Sequence, residues 1–449
     1  MPAVDAATLA RMDGYPFIVV SWVDDAGYPL SVATTFKTDG TAGRLLLDEP
    51  GGLPIPTDRD VVATGSHIRP QPGIGYDERR YLSVWGHAAA PSDGTVALIA
   101  ERTWGWDEAE TPFFEYSERS VPQSRRYLAQ LSAVRGHPVK PRLALGWLIL
   151  RTTRLPFLTA TLVPVLLGLV IAARHGPFDW VVAALVVIGG SLAHLATNVT
   201  NDIFDTLSGA DAANVNPTQF SGGSRVVHYD LVTMRQLVAV AVGLYAAAII
   251  IGLAVLAIRP SVELLAIGVA GVLIGLAYTA PPLKLVYRGL GEIAVAAGFG
   301  PIMLLGAYVA ETGRLAWEPL IASLPVAILI ALILYVNEIP DRGGDAAAGK
   351  RTLVVRLSQV AVERLYLVAG LVAFALVVVG VATGIMPWPT LVALAALPLV
   401  FQVSRGIHQH YDSPYLLMAF MGTNVKLHLY TGVLLLAGYA VALVVAAIR

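Results

Sequence analysis

The sequence predicts an all-α membrane bundle of nine transmembrane helices, preceded by a small soluble β-barrel domain. Three observations carry this. Mean hydropathy is +0.64 with 55% hydrophobic and only 14% charged residues, against about 25% charged in an ordinary soluble protein. Of the 63 Asp, Glu, Lys and Arg residues, 32 stand in positions 1–145, so the first third of the chain is soluble in character and the rest is not. Within that first third, short β-rich runs alternate with turn signals.

The β-rich runs come first. Phe17–Val23 followed by Asp24-Asp25-Ala26-Gly27 and Leu30–Phe36 reads as a hairpin, and further short strands are expected at Leu45–Leu47, Val61–Ile68, Tyr81–Ala88 and Val96–Glu101. That many short strands close naturally as a barrel. This domain is assigned to residues 1–120. His67 and His87 read as structural, and Arg79 and Arg80 as exposed arginines able to grip a phosphate. Residues 121–145 carry Arg125, Arg126, Arg135, Lys140 and Arg142 among apolar positions, the pattern of a basic helix lying on anionic lipid. Trp104, Trp106, Phe113 and Phe114 are expected to pack under the barrel or to touch lipid.

Residues 146–449 form the membrane domain. Apolar runs long enough for about 30 Å of hydrocarbon recur from Leu155 onward. They lie at Leu155–Ala173, Trp180–Leu195, Leu237–Ile258, Leu264–Ala280, Leu290–Ala310, Pro319–Val336, Leu365–Ala382, Trp388–Val403 and Leu429–Ile448. The first 30 residues scatter Asp5, Arg11, Asp13, Asp24 and Asp25 and do not read as a secretory signal. With the N-terminus inside, 15 Lys and Arg residues fall on the cytoplasmic side, against Arg174, Arg259, Arg314 and Arg449 outside. The expected setting is the plasma or inner membrane, with the N-terminal domain cytoplasmic and the C-terminus opposite.

Composition excludes several functions. A net charge of −1 supplies no concentrated basic surface for nucleic acid. Zero Cys removes disulfides, thiolate metal sites and a Cys nucleophile. His408 and His410 lack a third ligand and read as interfacial.

Two cytoplasmic connections carry the chemistry. After the second span, Asn198, Asn201, Asp202 and Asp205 recur at i, i+3, i+4 and i+7, one face of a continuing helix, with Asp211 beyond. After the sixth, Asn337, Asp341 and Asp345 recur at i, i+4 and i+8, although Pro340 implies a kink or an end there. Lys350 and Arg351 follow. Paired carboxylates at the end of a membrane helix call for cations. Mg²⁺ takes one or two carboxylates and completes its shell with water and phosphate oxygens, so two such clusters on one membrane face suit a metal-held diphosphate. A solitary Asp-x-x-Asp at a helix end is usually a solvated cap; two, both flanked by Asn and with a basic pair after the second, are rarely so.

At these residues the chain resembles the UbiA superfamily of intramembrane aromatic prenyltransferases. Asn201-Asp202-x-x-Asp205 with Asp211 matches the first family motif and Asp341-x-x-x-Asp345 the second, over about residues 146–449. The menaquinone branch, which prenylates 1,4-dihydroxy-2-naphthoate, is most similar. The stretches that carry this are Gly209-Ala210-Asp211, Gly222-Gly223-Ser224-Arg225-Val226, Tyr278-Thr279-Ala280-Pro281-Pro282-Leu283, Gly289-Leu290-Gly291-Glu292 and Ala348-Gly349-Lys350-Arg351-Thr352-Leu353. That branch often starts its second motif Asn-Asn and has Arg before the first Asp, where this chain has Asn337-Glu338 and Pro340.

The resemblance implies two Mg²⁺ ions on Asp202, Asp205, Asp341 and Asp345, holding an allylic polyprenyl diphosphate. Asn198, Asn201, Asn337, Lys284, Lys350 and Arg351 would contact the diphosphate. Asp211, Arg225 and Tyr278 complete the expected substrate site, Arg225 on a glycine loop able to close on ligand or else as a plain positive-inside charge, and Tyr278 orienting substrate or else as an interfacial belt tyrosine. Glu292 is expected to pair with Lys284 or Arg288 and to take no part in chemistry. The acceptor would be an aromatic quinone precursor, the naphthoate or 4-hydroxybenzoate among them.

Residues 10–110 resemble the pyridoxamine-phosphate-oxidase-like split barrels that bind FMN or a deazaflavin. The resemblance rests on Tyr15-Pro16-Phe17, Gly27-Tyr28-Pro29, Gly65-Ser66-His67 and Arg79-Arg80-Tyr81-Leu82-Ser83-Val84-Trp85-Gly86. Two rival classes are an ion-coupled transporter, which needs charges near mid-membrane, and a membrane-tethered flavin oxidoreductase, for which this many spans exceed what an anchor needs.

Overall fold

The computed structural model describes residues 4–51, 53–71, 75–111, 113–141, 144–214, 218 and 220–448. Arg142 and Arg449, counted above among the membrane-flanking cations, lie outside them, as do the side chains of Phe113 and Phe114. The chain divides into two compact units, residues 1–119 and 120–449.

In the first unit, β1 (Ile18–Val23), β2 (Pro29–Thr34), β3 (Phe36–Asp39), β4 (Arg44–Asp48), β5 (Asp60–Gln71), β6 (Gly75–Ala88) and β7 (Thr95–Asp107) form one sheet in the order β2-β1-β5-β6-β7-β4-β3. The predicted hairpin forms, Ile18 opposite Thr34 and Val23 opposite Pro29. Its turn is held by Asp24 Oδ1, which accepts the N–H groups of Ala26 and Tyr28, with Gly27 in the left-handed region. Alternate residues face inward: Ile18, Val20, Leu45, Leu47, Val96 and Leu98 are fully buried. The outcome is a curled half-barrel. Among the described residues no pairing joins the edge strands β2 and β3, because β3 turns back onto β4 directly after β2 ends.

The singled-out polar side chains of this unit are each engaged by another residue within it. Arg79 pairs with Glu108, Arg80 lies over the Tyr15 ring, and His67 and His87 contact Glu78 and Glu101. Trp106 stacks on Tyr116 with centroids 4.8 Å apart, and Trp104 Nε1 donates to Tyr81. The basic stretch expected at 121–145 is helical over Phe113–Arg135, and a separate helix, Leu145–Thr153, follows.

The second unit is helical. In chain order its long helices are α1 (Thr159–His175), α2 (Trp180–Ser208), α3 (Met234–Ile258), α4 (Val262–Thr279), α5 (Gly291–Thr312), α6 (Trp317–Ala347), α7 (Gln359–Ala382), α8 (Trp388–His410) and α9 (Pro414–Ile448). Among the described residues eight, α2 to α9, are long and apolar enough to cross a membrane. The first predicted span differs: Leu155–Leu158 is a 3₁₀ turn, and the 17 residues of α1 rise only about 26 Å. Helix α8 likewise starts as a 3₁₀ segment over Trp388–Ala396.

Sequence-coded caps set several helix starts. Asp179 accepts the N–H groups of Val181 and Val182 at the head of α2, Thr233 and Gln236 form a reciprocal box on α3, and Ser261 caps α4. Helix α6 is the most buried span. Its Leu329, Tyr335, Val336 and Ile339 pack with residues of α7, α8 and α9, while Val326 and Ile330 pack with α1 and α5. Helix α5 seats on α6 through a π-helical turn, Gly298–Ile302, in which Gly300 leaves no room for a side chain: a Cβ would stand 2.3 Å from that of Ala327.

Helices α2 and α6 both outrun their predicted ends. Helix α2 continues to Ser208 and stops at Gly209 in the left-handed region. Helix α6 runs through Pro340 to Ala347, so the proline neither ends the helix nor breaks the i, i+4, i+8 face. Both acidic motifs therefore ride on the last turns of helices that are anchored in the core.

Candidate active site

The last turns of α2 and α6 converge on one cation. Lys350 Nζ lies 3.6 Å from Asp205 Oδ2 and 3.5 Å from Asp345 Oδ1, joining the two motifs. Burial opposes the charge on this lysine, yet Asp205 and Asp345 hold its pKa well above the usual range, so it stays ammonium. A second link runs through the loop after α2. Asn214 Nδ2 donates to Asp341 Oδ1 at 2.7 Å, and the Gly222 N–H donates to Asp341 Oδ2 at 2.9 Å. Gly344 permits this approach, since a Cβ there would fall 2.8 Å from Asn214 Cα.

Asp202 sits a layer further back. Its Oδ1 accepts from Arg154 Nη2 at 2.6 Å and from the Ser224 N–H at 3.2 Å. Burial works against the Arg154 charge, but Asp202 lifts its pKa above the ordinary guanidinium value. Asp211 is pushed up to about 7, first by burial and then by Asp205 and Asp202, against the pull of Arg154. Its Oδ2 accepts from Thr206, and a Cβ on Gly223 would stand 2.7 Å from Asp211 Oδ1 and 3.4 Å from Asp202 Oδ1. The glycine keeps that approach to the carboxylates open.

These groups surround a polar cavity of about 90 Å³ that Asp205, Asp211, Asn337, Asp341, Asp345 and Lys350 all line. It adjoins an apolar cavity of about 600 Å³ between α2, α3, α4, α5 and α6. Arg154, Asn201, Phe220, Tyr278, Leu334 and Asn337 belong to the walls of both. Asn198 lines the apolar cavity and donates to the Thr153 carbonyl, while Asn201 donates to Asp205. Polar head and hydrocarbon tail thus have adjoining compartments.

Three expected contacts stand elsewhere. Arg225 is buried, but its Nη1 donates to the Asn214 carbonyl at 3.1 Å, bracing the loop behind the cavity. Lys284 occupies a left-handed turn with its ammonium over the Tyr287 ring, and lines neither cavity. The Arg351 side chain is exposed; only its backbone N–H reaches inward, to the Tyr287 carbonyl. Glu292 does not take the expected pairing: Arg288 donates to the Pro282 carbonyl instead, and Glu292 is buried beside Glu338. His408 contacts Glu363, and His410 stacks on Phe420.

Sequence reasoning passed over other groups. Arg154 was counted only as a membrane-flanking cation, and nothing in its spacing ties it to Asp202, 48 residues on. Tyr287, whose hydroxyl lies 3.2 Å from Asp205 Oδ1 and 2.7 Å from Ser208 Oγ, was not singled out, nor was Asn214. Glu338 was quoted as motif context and given no role, yet it lines the polar cavity. The one available signal was Tyr287's place beside Lys284 in a turn already marked by Pro281-Pro282.

The donor set suits Mg²⁺. Among the described residues no three His, Asp or Glu side chains gather closely enough to hold a metal alone. What is present is hard oxygen from two facing helix ends, with Asp345 Oδ2 and Asn201 Oδ1 buried and without a hydrogen-bond partner among the described residues. An ion that takes one or two carboxylates and draws its remaining ligands from water and diphosphate fits such a site.

A bundle of apolar helices presenting two acidic helix ends over a lipid-sized cavity defines an integral membrane enzyme of prenyl transfer. The chain belongs to the UbiA prenyltransferase family, whose model matches residues 161–424. It is 28% identical over 287 residues to the 2-carboxy-1,4-naphthoquinone phytyltransferase of Synechocystis sp., covering 63% of this chain and 90% of that one. It is also 28% identical over 308 residues to the 1,4-dihydroxy-2-naphthoate octaprenyltransferase of Bacillus subtilis, covering 68% and 96%. Among solved structures, a UbiA homolog from Archaeoglobus fulgidus bound to GPP and Mg²⁺ aligns with a TM-score of 0.43 at 13% identity, over 64% of this chain and 99% of that one.

Proposed function

We propose that this chain transfers a polyprenyl group from an allylic polyprenyl diphosphate to 1,4-dihydroxy-2-naphthoate or a similar quinone precursor. The observation that carries the reading is the bridge from Asp205 through Lys350 to Asp345 at the mouth of an apolar cavity. The names of the relatives from Synechocystis sp. and Bacillus subtilis support a naphthoate-type acceptor.

In this reading Asp202, Asp205, Asp341 and Asp345 are the metal-binding carboxylates. Asp205, Asp341 and Asp345 would hold the metal from the walls of the polar cavity, and Asp202 would add its carboxylate from behind, where Arg154 positions it. Bound Mg²⁺, two ions in the reading adopted here, supplies positive charge to the diphosphate as it leaves. Lys350 adds a further positive charge at the same oxygens. Asn201 and Asn337 orient the head group where the two cavities meet, and Tyr278 closes the passage from polar to apolar space. The C1–O bond breaks with its electron pair on the diphosphate, and a ring carbon forms the new bond to C1. With the naphthoate, the carboxylate on that carbon leaves as CO₂. The apolar cavity walls keep water from the allylic cation. Lys284 and Arg351, outside the cavities, act only as basic charge near the entrance.

The organisation that goes with this reading is a cytoplasmic domain at 1–120, a basic interfacial helix within 121–145 and a membrane domain at 146–449. Helix α1 is the ninth span, and the termini lie on opposite sides of the membrane. The half-barrel is read as a split-barrel module that takes FMN or a deazaflavin. Purified full-length protein is then expected to show a flavin absorption spectrum after reconstitution, and a featureless spectrum would remove that part.

The prenyl-transfer reading is tested in membranes holding the full chain, supplied with Mg²⁺, geranylgeranyl diphosphate and a panel of aromatic acceptors. Prenylated naphthalene product is expected, and EDTA is expected to abolish it. Product formation indifferent to EDTA, or ion movement without any product, would overturn the reading.

A further inference from the structure

One buried polar side chain in the apolar cavity has no task in the chemistry above. His194 stands on α2, four residues before Asn198 and seven before Asn201, on the face turned to the cavity, and is 4% exposed. Its Nδ1 lies 2.8 Å from Thr161 Oγ1 on α1. Thr161 is fully buried, and its hydroxyl has no other hydrogen-bond partner among the described residues. The tautomer that leaves no hydroxyl proton unpaired has Thr161 donating to Nδ1 and the ring's own proton on Nε2.

The ring is held on a second side as well. Phe299, in the π-helical turn of α5, meets it edge to face with centroids 4.7 Å apart. Thr161 is not part of the cavity wall, whereas His194 is. Nε2, the other ring nitrogen, has no partner among the described residues. In that tautomer the ring carries an unpartnered N–H at a cavity whose neighbouring wall on α2 is Gly189, Gly190 and Ala193.

We infer that His194 is a positioning residue that sets acceptor specificity: its Nε2–H donates a hydrogen bond to an oxygen of the aromatic acceptor and turns the nucleophilic carbon toward C1 of the prenyl diphosphate. The inference rests on the aromatic-acceptor reading above. A prenyl tail offers this donor no oxygen, whereas a hydroxylated aromatic acid does. Along α2 His194 stands about 16 Å of helix rise from Asp205, on the apolar side of the diphosphate site. An unmet N–H in a dry pocket discriminates against ligands that cannot accept from it.

The test compares wild type, His194→Phe, His194→Gln and Thr161→Val in membranes, with Mg²⁺, geranylgeranyl diphosphate and 1,4-dihydroxy-2-naphthoate. His194→Phe keeps the ring packing and loses the donor. It is expected to raise KM for the acceptor roughly ten- to a hundredfold while KM for the prenyl diphosphate stays put. His194→Gln restores a donor and is expected to recover most of the loss; Thr161→Val, which frees the ring, falls between. An unchanged acceptor KM, a parallel rise in both KM values, or a Gln variant no better than Phe would overturn the inference. Should His194→Phe fail to fold, Thr161→Val decides alone, and an unchanged acceptor KM there overturns it. A wild-type chain inactive with naphthoate and active with 4-hydroxybenzoate sinks the naphthoate assignment instead, and the same comparison is then read on that ring.

Discussion

Asp205→Ala and Asp345→Ala are each expected to lower turnover with saturating prenyl diphosphate by about three orders of magnitude, with the protein still folded in detergent. Each carboxylate touches Lys350, and each belongs to a different helix end. Removing either takes away one wall of the cation site at the point where negative charge grows on the leaving group. The helix ends themselves are anchored elsewhere, by Asn214 on Asp341 and Arg154 on Asp202, so the fold should survive. Steady-state assays of the two variants beside wild type check this. Turnover within tenfold of wild type for either one would mean that the diphosphate is not held between these motifs.

Arg154→Ala is expected to be the most destabilising single change at the site. Asp202 is 1% exposed, and its strongest partner is the Arg154 guanidinium at 2.6 Å. Truncating the arginine leaves a buried carboxylate with only the Ser224 N–H among the described residues, and breaking a buried pair from one side costs about 3–5 kcal/mol. The thermal midpoint in detergent should fall clearly, and added Mg²⁺ should restore part of it, since a cation that binds only the folded state stabilises it by mass action. Arg154→Lys, which retains the charge without the fork, should lie between. A midpoint for Arg154→Ala equal to wild type would show that Asp202 is already satisfied by other groups.

Pattern and composition made much of the molecule legible. Period-2 alternation marked most strands, because each has one face in the core and one in water; β6 starts six residues before the expected Tyr81, β7 runs six past Glu101 to Asp107, and Phe36 opens β3 instead of ending the hairpin arm. Apolar run length marked the spans, because lipid demands that backbone polar groups be satisfied within the helix. Where the expectation and the fold part, the reason is local. Helix α1 starts late because Leu155–Leu158 winds as a 3₁₀ turn, and the sheet stops at a half-barrel because β3 folds onto β4.

The acidic motifs were legible because helical spacing puts Asn201, Asp205 and their neighbours on one face without help from the rest of the chain. What only the tertiary structure decided is which distant groups meet them. Arg154 reaches Asp202, Tyr287 reaches Asp205, Asn214 reaches Asp341, and Lys350 joins Asp205 to Asp345, whereas Lys284 and Arg351, equally basic in the sequence, turn away. Residue type and spacing fix a side chain's direction along its own helix. Contacts across tens of residues depend on how helices cross and loops fold back, and that is set by packing in the whole core.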